Sequence, residues 1–401
     1  MNRYLSISSH RKTSLLKVTL IALLFLPFYS QSQQLSITDF AIMGGSATPQ
    51  PGASTPAVPG RAVQLGSSTN IQGGAVGSFI LVTTTGNTVI NANVYSNGTV
   101  QLTNSNTVTG RIAVANSSSA GGNVLSVGSN ASIGGNIDVN GNILIGGGSV
   151  GGMVTHPVGT TYSGPLPKLG ENKAAPSLPT MPAFPAITNF PAQGASNITS
   201  SATLLPNQSY GNLTLTGNST ITLSGPGVYT FKSIQNSGNT NNFVFDFKNT
   251  SSGNFLIYVY GDVNLNKVNA SIVNGGDPTR IYSETHGTGS SSSNGYTAWN
   301  IANGSSGNGA SKWLGSVWAP YGAINVGSGT GSTNLTGALW SAVQVNLQSG
   351  VTLNFSPFNY CTPPNANAGP DMQLTCTVPS VQLTGSSTSS NIPNIQYSWT
   401  A

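Results

Sequence analysis

Short runs in which apolar and polar residues alternate recur along most of this chain, separated by corners rich in Gly, Ser and Asn. Val63 to Val76 reads VQLGSSTNIQGGAV, and Val100 to Val114 reads VQLTNSNTVTGRIAV. Leu125 to Val139 (LSVGSNASIGGNIDV), Ile143 to Val154 (ILIGGGSVGGMV) and, much later, Ile324 to Trp340 (INVGSGTGSTNLTGALW) repeat the phrase. Its common form is apolar-x-apolar, a corner, one apolar residue, a glycine and another apolar position. Alternation puts Val100 with Leu102, and Ile112 with Val114, on one side of a strand. Gly and Asn accept positive φ, so the chain can turn sharply at the corners. A single coil cannot bury its apolar side chains, whereas stacked coils share an interior and pair each other's strand edges. The pattern predicts an all-β chain, a β-helix or solenoid of stacked short strands. A sandwich of hairpins would also alternate, but would not repeat one corner-and-strand phrase.

Between Pro157 and Pro191 the texture changes. Pro157, Pro165, Pro167, Pro176, Pro179, Pro182, Pro185 and Pro191 lie too close together for regular strands. The stretch is either a linker or an extended segment on the solenoid flank, and Met181, Phe184, Ile187 and Phe190 point to the flank. Strand signals resume at Asn212. Phe243, Phe245 and Phe247 alternate, as do Ile257 and Val259 against Tyr258 and Tyr260, and Trp313, Trp318 and Trp340 predict a thicker core in this half.

The first residues carry a different signal. Arg3, Arg11, Lys12 and Lys17 precede an apolar run, Val18 to Tyr29, that Pro27 interrupts, and Ser30-Gln31-Ser32 supplies small residues at a cleavage position before Gln33. That order predicts an export signal, and the run is too short to span a bilayer as a stable helix. No later stretch is apolar enough to cross a membrane. The signal also changes the charge balance. The chain has 13 Lys and Arg against 8 Asp and Glu, or +5, but four of the basic residues precede the cleavage position, leaving nine against eight. No Lys/Arg stripe exists to neutralise phosphates, so nucleic-acid binding is not expected. Charged residues make up 5% of the chain, against about 25% in an ordinary domain. Such polarity without charge also suits a disordered tract, but disorder has no use for regularly spaced Val, Ile and Leu.

Cys361 and Cys376 are the two cysteines. Export permits a disulfide, either between them or with a cysteine beyond residue 401. The preceding span, Trp313 to Phe358, resembles secreted bacterial proteins of the choice-of-anchor A type, a Bacteroidetes-type surface domain. Gly315, Ala319-Pro320, Gly337 and Pro357-Phe358 carry the likeness. It implies a surface domain joined to varied anchors, with no catalytic set to transfer. The tail from Asn365 resembles the opening strands of PKD or immunoglobulin-like repeats, through Ala368-Gly369-Pro370-Asp371, Leu374-Thr375-Cys376, Val381-x-Leu383-x-Gly385 and Tyr397-x-Trp399. About 35 residues are too few for a sandwich of roughly 100, so the chain is expected to be a piece of a longer protein. These readings divide it into a signal peptide (1–32), N-terminal solenoid repeats (33–156), a Pro-rich connecting segment (157–195), a second solenoid region (196–360) and an incomplete PKD or immunoglobulin-like domain (361–401).

A second likeness is to the β-solenoid ice-binding proteins of cold-living microbes, through SGPGVYTFKSI (Ser224 to Ile234) and the late Gly-rich block. It implies a flat face on which Thr214, Thr216, Thr220 and Thr222 could line up. The chain departs from that pattern, because most coils put Ser, Asn or Gly there, and T-x-T is also ordinary strand chemistry.

β-Helices also host polysaccharide lyases and hydrolases, which work through acidic sites. Glycoside hydrolysis needs two carboxylates across the scissile bond. The eight acids form no D-x-D or DD pair, and Asp262, after Gly261, suits a turn better than a site with Asp246. The densest polar cluster runs from Asp277 to His286. As one strand it would put Arg280, Tyr282, Glu284 and His286 on a single face, a possible ligand-facing strip or a solvated face with an Arg280–Glu284 ion pair worth about 0–1 kcal/mol. His156 has no partner nearby in sequence, and no G-x-S-x-G elbow occurs. No catalytic residue, metal site or cofactor is expected. The expectation is a secreted or cell-surface structural or adhesive module whose partner is an extracellular glycan or a surface protein. The alternatives are an ice-binding solenoid and a carbohydrate-active enzyme.

Overall fold

The computed structural model describes residues 34–56, 60–117, 122–302, 310–328 and 331–359, with the backbone of two further two-residue strands, Ala366–Asn367 and Ser386–Ser387. The expected signal peptide, both cysteines and nearly all of the immunoglobulin-like stretch lie outside these residues. The described chain is a three-sided parallel β-solenoid, with sheets of thirteen, twelve and twelve strands. A full coil passes from a sheet 1 strand to a sheet 2 strand and a sheet 3 strand, as Phe40–Gly44, Val63–Leu65 and Asn70–Gln72 do in the first one. At about 4.8 Å per strand, sheet 1 is about 58 Å long.

The alternation read from sequence decides which side chains face inward. Val100 and Leu102, Ile112 and Val114, and Phe243, Phe245 and Phe247 all point into one core that runs from Ala41 to Leu353. The corner from sheet 2 to sheet 3 turns through left-handed residues in successive coils: Ser68 (φ 59°), Asn87 (60°), Ser105 (58°) and Asn130 (56°). Just inside that corner, Thr69, Thr88 and Asn106 are buried, and the Asn106 side chain accepts from Thr88 N at 3.0 Å. The sharp turn therefore leaves few buried backbone groups unpaired. Gly315 (φ +93°) and Gly337 stack on adjacent coils, where a Cβ on Gly337 would overlap the Gly315 carbonyl. Only glycine permits that approach.

The order of coils along the axis is not the order of the chain. Phe40–Gly44, the first strand, lies in the middle of sheet 1, with Ala75–Ser78 on one side and Leu339–Ser341 on the other. In the same way Val63–Leu65 pairs with Val345–Leu347, and Asn70–Gln72 with Val351–Phe355. From this seam the N-terminal coils proceed to one end, at Glu171–Lys173. The chain then restarts at the opposite end, near Ala202–Leu204, and coils back to the seam. The two repeat regions thus form one stack whose halves meet without covalent continuity.

The Pro-rich segment makes the return journey along the outside of sheet 1. Its first part still coils, adding Tyr162–Ser163 to sheet 2 and Glu171–Lys173 to sheet 1; beyond Lys173, lacking many amide donors, it leaves the ladder and runs as an extended strap. Arg111 donates to the Ser177 carbonyl at 2.9 Å, Leu35 N to the Thr180 carbonyl at 3.3 Å, and the Tyr260 hydroxyl to the Pro191 carbonyl at 2.9 Å. Its apolar side chains Leu178, Met181, Phe184 and Phe190 pack on a second core made by Phe40, Met43, Tyr95, Tyr258, Trp318 and Trp340. Of the three tryptophans expected to thicken the core, only Trp313 faces the coil interior, where it meets Phe243, Phe245 and Trp299. Trp318 and Trp340 point outward beneath the strap, because strand parity places them opposite the inward Val317 and Leu339.

At the free end of the N-terminal coils, His156 is fully buried and well partnered, contrary to its reading as a lone residue. Its Nε2 lies 3.0 Å from Glu171 Oε1 and its Nδ1 2.8 Å from the Thr160 hydroxyl. The coil between them returns Glu171 to its side, a contact invisible in local sequence. The hydrogen bond from His156, with lesser help from Lys173, holds the Glu171 carboxyl below its ordinary pKa. A carboxyl depressed in the fold contributes stability above its unfolded pKa and loses it as pH falls through the folded value. Acidification below the usual carboxylate range is therefore expected to loosen this end first. Hydrogen exchange at 154–156 and 171–173, followed against pH, checks this, and protection there that outlasts the strap's would contradict it.

Candidate functional site

Arg280 does not share a strand face with the other members of the expected strip. Asp277 caps a 3-10 turn, Pro278–Arg280, by accepting from Thr279 N at 2.8 Å, and the strand Ile281–Thr285 begins after it. The Arg280 guanidinium donates to the carbonyls of Gly253 (2.8 Å) and Thr250 (3.0 Å) and lies 4.5 Å from the centroid of the Phe247 ring. It fastens the corner of the neighbouring coil. The ion pair with Glu284 does not form.

Tyr282, Glu284 and His286 do share the outer face of sheet 1, but the strap covers it. Glu284 is fully buried. Its Oε1 accepts from Thr188 N at 2.9 Å and lies 2.9 Å from His286 Nε2. Its Oε2 accepts from the hydroxyls of Thr188 (2.6 Å) and Tyr282 (2.9 Å). Phe190 of the strap stacks on His286 at 3.8 Å and on Tyr258 at 4.7 Å. Burial, reinforced by the Glu284 charge, raises the Tyr258 hydroxyl above its ordinary pKa. The strip is therefore corrected from a ligand-facing surface to an internal latch. Strand parity in the sequence put the three residues together but could not show what lies over them.

The remaining carboxylates are dispersed and engaged. Asp138 pairs with Arg111 at 2.9 Å, and Asp246 with Lys248 at 2.6 Å and with the Asn274 amide at 2.7 Å. Asp39 accepts from Ser36 N at 2.7 Å. Asp262 and Asp246 lie on different sides of the solenoid, Asp246 on sheet 3 and Asp262 at the entry to sheet 2. Among the described residues, no group of three or more His, Cys, Asp or Glu is placed to hold a metal ion. No described helix is long and apolar enough to cross a membrane.

With sheet 1 covered, sheets 2 and 3 are the open faces. The outward position at the centre of every sheet 2 strand falls into one registered column, from Thr214 through Gln235, Asn264, Asn300, Asn325 and Asn346 across the seam to Gln64, and on through Thr83, Gln101, Ser126 and Leu144 to Ser163. Eleven of these twelve are neutral and polar. In its centre the amides bond to one another: Asn346 donates to Asn325 (3.1 Å), Asn325 to Asn300 (2.7 Å) and Asn300 to Asn264 (2.9 Å). Sheet 3 carries a comparable column, Thr220, Asn242, Asn269, Lys312, Asn334, Thr352 and Asn70, with one charge. The Thr pairs fall on different sheets, Thr214 on sheet 2 and Thr220 with Thr222 on sheet 3, so they do not line one flat face. The signal for the amide column was in the sequence, as Asn between apolar residues at 263–265, 299–301, 324–326 and 345–347, but the partners are 21 to 36 residues apart.

The loop after His286 rises beside this column. Asp262, almost buried, holds it by accepting from Gly289 N (2.8 Å) and from Ser291 N (3.0 Å) and its hydroxyl. Asn294 ties the far side to Thr297 at 2.7 Å. The result is a cleft of about 300 Å³ floored by Asn264, Asn300 and Asn325 and walled by residues 291–294.

No family model matches the chain, and no curated protein does. Among solved structures it is similar to an ice binding protein from an Antarctic bacterium, Flavobacteriaceae, at 12% identity and a TM-score of 0.23, over 84% of this chain and 98% of that one. A likeness of that degree carries no argument about function, which rests on the faces described above.

Proposed function

We propose that this chain is a non-catalytic binding module of an exported, cell-surface or extracellular protein, attaching through neutral polar faces to a hydroxyl-rich partner such as a glycan. The observation that carries the reading is the registered column of amides and hydroxyls along sheet 2, left open while a strap seals the aromatic face of sheet 1. Uncharged donors and acceptors at a fixed repeat suit a partner with many hydroxyls and little charge. Each described carboxylate serves a turn, an ion pair or the strap, which favours attachment over turnover. The leader read in residues 1–32 supports export. The likeness of Trp313 to Phe358 to choice-of-anchor A domains, and of the tail to PKD repeats, supports a surface protein.

Purified protein screened on glycan and host-matrix arrays, beside an adhesion assay of a deletion strain, tests this. Binding that ignores salt, with reduced adhesion of the deletion strain, is expected; no binding and normal adhesion would refute it. A second reading, ice binding, draws on the straight hydroxyl- and amide-bearing columns of sheets 2 and 3. Thermal hysteresis at high protein concentration would favour it, and its absence retires it.

A further inference from the structure

We infer that the cleft beside the sheet 2 amide column is a subsite for one neutral sugar residue of an extended polysaccharide. This rests on the glycan-binding reading and gives it a location. The amides of the column keep hydrogen-bonding capacity that their mutual bonds do not use. A primary amide has two N–H donors and two carbonyl lone pairs. Within the column, Asn300 uses one N–H toward Asn264 and one lone pair toward Asn325, so one of each remains to face outward. Asn264, where the amide-to-amide bonds stop, accepts from Asn300 through its carbonyl, leaving its own N–H groups available to a ligand. Neighbouring strands therefore present adjacent donors and acceptors at a repeat of about 4.8 Å. Ring hydroxyls, each both donor and acceptor, complement such a strip.

Two features distinguish this part of the column from the rest. The loop wall at residues 291–294 makes it concave, so a sugar ring would be enclosed on one side as well as touched on its edge. The wall is also fixed: the Asp262 carboxylate holds it through Gly289 and Ser291, and Ser292 and Asn294 tie its far side through the Gly289 carbonyl and Thr297. The charge of Asp262 is thus already engaged, and no Lys or Arg lines the cleft. That lining selects a neutral residue over a uronate or a sulfated sugar. Asp262 acts as a positioning residue, shaping the wall through the loop.

The test uses the full chain with cellohexaose, xylohexaose, mannohexaose and laminarihexaose as neutral probes and an oligogalacturonate as the charged one, read by calorimetry and saturation-transfer NMR. At least one neutral hexaose is expected to bind with little dependence on salt. Asn264→Ala combined with Asn300→Ala should weaken it at least about tenfold, the loss of one to two hydrogen bonds. Both positions are on the outer face, so losing the Asn300–Asn264 and Asn325–Asn300 bonds should lower the melting temperature by a few degrees at most. Asn70→Ala with Gln72→Ala, which removes a bonded amide pair on sheet 3 outside any such wall, should leave affinity unchanged. Failure of every neutral hexaose to bind, binding of the charged probe alone, or an equal loss in the sheet 3 control would overturn the subsite. If the wild type adheres to polysaccharide-coated surfaces and the Asn264/Asn300 variant adheres equally well, the subsite is wrong and the surface-binding reading stands. If nothing adheres in any arm, both are wrong.

Discussion

Glu284→Ala is expected to unlatch the strap and to cost about 3 kcal/mol or more of stability, because it removes two hydrogen bonds from Thr188 to a buried carboxylate, at about 1.5–3 kcal/mol each. They run from the Thr188 amide at 2.9 Å and its hydroxyl at 2.6 Å, while Tyr282 donates to the same carboxylate at 2.9 Å from the sheet side. The loss should be local before it is global. Once Thr188 lets go, Phe190 keeps its ring contacts with His286, Tyr258 and Tyr260 and the Tyr260 hydroxyl bond to the strap, but nothing ties the strap to Glu284. Hydrogen exchange should therefore quicken first around the Thr188 amide, while the inward-facing strands keep their protection. Glu284→Gln keeps the shape and one acceptor oxygen and should cost markedly less. Unaltered exchange at Thr188 in the alanine variant would show that the latch is not what holds the strap.

Trp340→Ala strikes the seam. Trp340 is fully buried, lies opposite Met43 in the sheet 1 ladder, and donates its indole N–H to the Phe40 carbonyl at 3.0 Å. Truncating a buried tryptophan costs about 3–5 kcal/mol through lost burial and the cavity left behind. The position makes this loss unusual. The chain does not run directly from residue 44 to residue 339, so strand pairing and packing alone join the halves there. The variant should open at the seam, exposing 40–44 and 339–341 to exchange and to protease together. Phe245→Ala, a comparable truncation deep within the C-terminal coils, should lower stability by a similar amount without singling out the seam. Equal patterns in the two variants would mean that the seam is no weaker than any other coil junction.

The coil itself was legible in the sequence because its signal is local: two apolar residues flanking a polar one put Val100 and Leu102 inward wherever the coil sits. The left-handed corners at Asn87 and Asn130 were legible for the same reason. The order of the coils was not. Ile42 faces Leu339 because both are apolar strands with an unpaired edge, and nothing within a few residues of either names the other. The latch failed to show for a related cause. Parity aligned Tyr282, Glu284 and His286 correctly, but Thr188 and Phe190 arrive from nearly a hundred residues upstream and turn a solvated face into an interior. Arg280 was misplaced because Asp277-Pro278 starts a capped turn, which delays the strand past it. The open amide column was visible only as apolar-Asn-apolar repeated in four coils, a pattern that gains meaning once their register is known.

The strip of amides crosses the seam between Asn346 and Gln64, so it exists only if the coils stack in the order described. Nitroxide labels at Leu144 and Thr214, both exposed on sheet 2, read that order directly by pulsed electron resonance. Ten strand intervals separate them in the sheet, so a distance near 48 Å is expected at about 4.8 Å per strand. Coils stacked in chain order would leave the two labels on strands two intervals apart, and a distance near 10 Å would contradict the account.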